Sequence, residues 1–162
     1  MGPEARLLAV ICTLRVRPSG LSPLPPGLLK ALRIHGPAAL AELQAAGWLH
    51  YLPRVRTGPA AFLPELTGRP GRLRAGQWAL RGLADRRLVD SSARTRLAAL
   101  MVAAWQEGPG VPFLLDPDSA ARACGLGSPE AFEAILAGLG AAGLLDRWRP
   151  AGAGLLLCTP PL

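Results

Sequence analysis

The chain says nearly the same thing twice, and any fold for its 162 residues has to accommodate that repetition. Ala45-Ala46-Gly47-Trp48-Leu49-His50 is matched by Ala141-Ala142-Gly143-Leu144-Leu145-Asp146. Each follows an apolar, helix-like segment opened by a proline, Pro37 in the first copy and Pro129 in the second. Each leads into an arginine-bearing stretch, Tyr51 to Arg56 and Arg147 to Arg149. A glycine turn comes next, Thr57-Gly58-Pro59 or Ala151-Gly152-Ala153-Gly154, and then a second apolar run, 60–63 or 155–159. Upstream the parallel continues. Helical patterns over 4–15 and 93–106 are each followed by a Pro/Gly break, at Pro18-Ser19-Gly20 and Gly108-Pro109-Gly110. A second short helix is expected in each copy, over 26–34 and 117–124.

The second copy carries the cleaner local signals. Asp116 is a natural N-cap and Pro117 suits the first helical position. Ala120, Ala121 and Cys124 form a narrow apolar stripe, and Gly125-Leu126-Gly127 stops that helix. Ser128 caps the next helix, Pro129 opens it, and Glu130 favours the positive end of its dipole. Phe132, Ile135, Leu136 and Leu139 recur at three and four residues and predict one buried face. Val111 to Leu115 reads as a short strand.

Helix, short strand, helix, glycine turn, helix, Ala-Ala-Gly-Leu-Leu and a hairpin resembles the winged helix-turn-helix family. The resemblance covers nearly the whole chain outside about 67–92. It implies a mainly α fold with small β-hairpins as wings, in two tandem domains. Residues 1–66 form the first, 93–162 the second, and 67–92 a basic linker with a connecting helix. The segment from Thr67 to Arg74 reads as the flexible part, and Gln77 to Leu88 as the helix, with Trp78, Leu80, Leu83 and Leu88 apolar. That helix is placed to pack the domains together or to form a dimer surface. In the first copy the third helix is about four residues shorter than in the second.

Charge separates the copies. The chain carries 18 Lys/Arg and 11 Asp/Glu, a net +7. Residues 1–90 hold 13 cations and 5 anions, and residues 91–162 hold 5 and 6. A basic half points to an anionic partner, since phosphate contacts supply most nonspecific DNA affinity. Lys30 is the lone lysine and asparagine is absent, so part of the arginine excess reflects a GC-rich coding bias. The resemblance implies that a third helix enters the major groove while wing arginines meet the backbone. The residues it nominates in the first copy are Lys30 and Arg33 on the second helix, Gln44 on the third, and Arg54 and Arg56 on the wing. Arg69, Arg72 and Arg74 of the linker add a basic arm. Neither third helix holds an Arg or Lys between its proline and its Ala-Ala-Gly, so an Arg–guanine contact is not available from either. Glu130 and Glu133 on the third helix of the second copy oppose phosphate.

The expectation is therefore a duplex-DNA-binding protein, a transcriptional regulator or a plasmid-type replication or partition accessory factor. It uses no cofactor, and a homodimer or protein partner is assigned to the second domain. The competing expectation is a protein-interaction adaptor built from tandem winged helices, with little specific DNA binding.

Other chemistry is thinly represented. There is no Gly-x-Ser-x-Gly and no P-loop, so an enzyme is not expected. Cys12, Cys124 and Cys158 are widely spaced, with no C-x-x-C and no nearby histidine pair, which argues against zinc and for buried, reduced thiols. His35 is expected to cap the second helix of the first copy near its negative end. The four tryptophans are expected in core or interface packing rather than in base stacking. No apolar run reaches the ~20 residues that span a bilayer. Glu4 beside Arg6 does not suit a secretory leader, and Arg6 occupies the position where myristoylation wants Ser or Thr. The expected location is the cytoplasm.

Overall fold

The computed structural model describes residues 1–55, 58–63, 72–106 and 110–161. The chain divides into two compact units, Met1–Asp85 and Arg86–Leu162. Among the described residues, both units run helix, strand, helix, helix, strand, strand. In the first these are α1 (Pro3–Arg15), β1 (Leu21–Pro23), α2 (Pro26–Ala31), α3 (Gly36–Ala45), β2 (His50–Val55) and β3 (Gly58–Phe62). The first unit then adds α4 (Arg72–Leu83). The second unit opens with a 3-10 turn (Arg86–Leu88) and continues with α5 (Ala93–Trp105), β4 (Phe113–Leu115), α6 (Pro117–Cys124), α7 (Pro129–Ala141), β5 (Arg147–Pro150) and β6 (Leu156–Thr159). The expected mainly α architecture with small β-hairpins is what the elements form.

Each unit has one antiparallel three-stranded sheet of the same order, β1-β3-β2 and β4-β6-β5. The last strand lies between the two others, so the short strand after the first helix completes the hairpin. Directly paired residues share a face. In the second sheet Phe113–Cys158 and Leu115–Leu156 face inward and are buried, whereas Leu114 pairs with Leu157 outward. The β2–β3 register shifts between Leu52 and Val55, where Pro53 has no N–H to give the ladder.

The cores follow the helical spacing. In the first unit Leu7, Leu8, Ile11 and Cys12 of α1 are fully buried with Leu32, Leu43, Leu49 and Leu63. In the second, Phe132, Leu136 and Leu139 of α7 are buried, as are Ala98, Leu115, Cys124, Leu145 and Cys158. α1 is buried on most of its circumference because α3, β1 and α4 all pack on it.

The repeated Ala-Ala-Gly ends a helix the same way in both units. Trp48 N–H donates to the Leu43 carbonyl and Gly47 N–H to that of Gln44; Leu144 and Gly143 repeat the pair onto Leu139 and Gly140. This closure needs a left-handed residue, and Gly47 and Gly143 supply it at φ +67° and +69°. At α2 the same pair of bonds recurs, Ile34 to Leu29 and Arg33 to Lys30. There the left-handed residue is Arg33, at φ +48°.

The linker reading needs correction at its C-terminal end. Arg72 to Arg74 are helical, and the helix stops at Leu83 instead of continuing to Leu88. Gly76 permits close packing of this helix. A Cβ there would stand 3.0 Å from Arg15 Cγ and 3.2 Å from the Leu14 carbonyl oxygen. Helix α4 therefore belongs to the first unit, laid on α1.

Candidate nucleic-acid interface

The residues nominated from sequence fall on several elements. Lys30 is exposed in the last turn of α2, and exposed Arg33 follows it at the left-handed turn. Gln44 is exposed on α3. Arg54 lies on β2, and Arg72 opens α4. Arg56 and Arg69 lie outside the described residues. Arg74 is exposed on α4, on a different element from Lys30, Arg33 and Gln44.

The α2–α3 corner is held by acids used structurally. Glu4 Oε2 accepts the backbone N–H of His35 at 2.8 Å. His35 thus sits at the N-cap position of α3 without a side-chain cap bond, not as a cap of α2. Glu42 accepts the backbone N–H of Gly2. Glu42 also pairs with the N-terminal ammonium at 3.3 Å, so both carboxylates have structural partners while keeping their negative charge. Arg17, Lys30, Arg74 and Arg81 are exposed and have no ion-pair partner among the described residues.

The outward face of α3 comprises Pro37, Ala38, Ala41, Gln44 and Ala45. Gln44 is its one long polar side chain. The outward face of α7 is Glu130, Ala134, Ala137, Gly138 and Ala141, with Glu133 half-buried. The Glu130 carboxyl is held below its ordinary pKa by a hydrogen bond with Ser128, so this face keeps its negative charge at neutral pH. The Asp116 cap is likewise lowered, chiefly by the Ser119 hydroxyl.

The unit boundary sharpens the charge division. Residues 1–85 carry eleven Lys/Arg and four Asp/Glu, net +7, while residues 86–162 carry seven of each. The whole net charge resides in the first unit. In the second, Arg147 pairs with Asp146 at 3.2 Å, and Arg87 Nη1 donates to the Gly143 carbonyl at 2.6 Å, closing the end of α7.

The tryptophans divide differently from the sequence expectation. Trp48 and Trp148 are half-buried, but Trp78 is 42% and Trp105 56% exposed. The thiols follow expectation: all three are buried and none forms a disulfide, and burial pushes Cys12 and Cys158 up to about 11. Among the described residues no group of His, Cys, Asp and Glu is placed to hold a metal ion, and no helix is long and apolar enough to cross a membrane.

Sequence reasoning passed over Arg17 and Arg81 as surface cations. Arg81 had a readable signal, because it stands seven residues after Arg74 and so shares its helix face. Comparison with family models, curated proteins and solved structures gives no match.

Proposed function

We propose that the chain is a duplex-DNA-binding protein of tandem winged-helix architecture, with the first unit as its DNA-binding part. The observation that carries this reading is the confinement of the net +7 to that unit, beside a second unit of zero net charge. The helix-strand-helix-helix-strand-strand order and the central last strand support the architecture. Lys30, Arg33, Arg54 and Arg56 act on phosphates around the groove that α3 enters, and Gln44 is the α3 side chain able to reach a base edge. Binding is dominated by the backbone, because α3 brings no cation to guanine. A transcriptional regulator or a replication or partition accessory factor is the role proposed. Lys30→Ala with Arg54→Ala weakens duplex binding and flattens its salt dependence, whereas Arg147→Ala with Arg149→Ala changes neither. Equal losses from both pairs would refute the assignment to the first unit.

A second reading applies to the second unit. The small, acid-edged face of α7 favours a protein contact, either a second copy or a partner. Ala137→Glu on that face abolishes such association, read by sedimentation, and leaves duplex binding intact. If the chain sediments as a monomer with and without the change, the second-copy form of this reading fails.

A further inference from the structure

Helix α4 has no counterpart among the described helices of the second unit, so the repeated fold forms without it. Its inward side is small and apolar: Gly76 is buried against Arg15 and Leu14, and Ala79 and Leu83 are 1% and 5% exposed. Its outward side is Arg74, Gln77, Trp78 and Arg81, all exposed. The spacing of i, i+3, i+4 and i+7 places these four on one stripe, with Trp78 one turn from each arginine. A helix that docks through Gly76, Ala79 and Leu83 thus presents its one aromatic, Trp78, to solvent. Neither arginine has an ion-pair partner among the described residues, and the surrounding unit carries net +7.

We infer that this stripe is a single-stranded DNA site, in which the Trp78 indole stacks on an unpaired base while Arg74 and Arg81 hold the flanking phosphates. Every base has a π-face, so an aromatic platform between cations binds single strands with little sequence preference. The two arginines are separated by about 10.5 Å of helix rise, which leaves room for a base on the indole between them. Duplex DNA offers no such base, since its faces are stacked. The site stands apart from the duplex reading, which uses α2, α3 and the β2–β3 hairpin.

The test uses the full chain and three probes: a dT20 strand, a 20-residue abasic strand with the same phosphates, and a 20-bp duplex. Wild type binds dT20 more tightly than the abasic strand, with quenching of tryptophan emission. Trp78→Ala weakens dT20 binding by about 5- to 150-fold, the range for loss of one stacked base. Trp78→Phe retains most of the affinity, and neither variant changes the affinity for the abasic strand or the duplex. Arg81→Ala lowers the salt slope on dT20 by about 0.7. Unchanged dT20 binding in Trp78→Ala, equal wild-type affinity for the abasic strand, or no dT20 binding at all overturns the inference. Failure of the duplex to bind while dT20 binds overturns the duplex reading and leaves this one standing.

Discussion

Arg33 occupies a backbone conformation for which the second unit uses glycine. At the end of α6 the corresponding turn, Gly125 to Arg122 and Leu126 to Ala121, has Gly125 at φ +69°. At the end of α2 the same bonds form around Arg33 at φ +48°. An L-residue in that region costs roughly 1–2 kcal/mol. Glycine relieves this but has more freedom to lose on folding, which returns about 0.5–1 kcal/mol. Arg33→Gly is therefore more stable than Arg33→Ala by about 0.5–1 kcal/mol, because both variants lose the guanidinium and only one loses the strain. For a unit of this size that difference is about 2–8 °C in Tm. Hydrogen exchange of the amides over residues 28–43 reads the first unit separately from the second. Both variants lose duplex affinity equally and shed about 0.9 from the salt slope, since the backbone strain is independent of the phosphate contact. The reasoning is refuted if Arg33→Gly exchanges as fast as Arg33→Ala or faster. Strain retained at a position that presents a cation is what a functional constraint would leave behind.

Three further outcomes follow from the packing and the caps. Gly76→Leu drives a side chain against Arg15 and the Leu14 carbonyl, destabilising the first unit by about 1–3 kcal/mol; a melting curve like wild type would contradict the docking of α4 on α1. Asp116 and Glu130 are lowered in the folded state, so their contribution is present above the ordinary carboxylate pKa of about 4 and is lost as pH falls below it. Melting between pH 5 and 2.5 should show a drop that is smaller in Ser119→Ala and Ser128→Ala, and an identical drop in all three proteins would exclude the caps as its source. Cys12 and Cys158 are buried thiols raised to about 11, so native protein at pH 8 resists alkylation at both, and both react once urea unfolds it; rapid native labelling of Cys12 would contradict the burial of α1.

How much of this was legible in the sequence depends on how local each signal is. The caps of the second copy were readable because Asp116, Ser128 and Gly125 act on neighbouring backbone groups, and Asp116 and Ser128 accept from Asp118 and Ala131 as their positions imply. The Ala-Ala-Gly closure was readable for the same reason. The start of α4 at Arg72 was misread because the glycines and proline of 67–74 look like a linker, and the close approach of Arg15 to Gly76 that docks the helix is not in the local pattern. Arg33 gave no sign of a left-handed turn because only glycine or asparagine advertises one. Trp78 and Leu83 both look apolar in the one-dimensional pattern, and only the docking of α4 on α1 shows that Leu83 turns in and Trp78 turns out. The charge division was visible in the composition. That it coincides with a structural boundary was not.

The proposed binding of duplex DNA by the first unit through phosphate contacts is read from the salt dependence of that binding. Fluorescence anisotropy of a labelled duplex titrated with the full chain gives the affinity at each salt concentration. Four phosphate contacts by Lys30, Arg33, Arg54 and Arg56 predict log affinity falling linearly with log salt, with a slope of about −3 to −4. A slope near zero, or one that survives removal of Lys30 and Arg54 unchanged, would contradict the account.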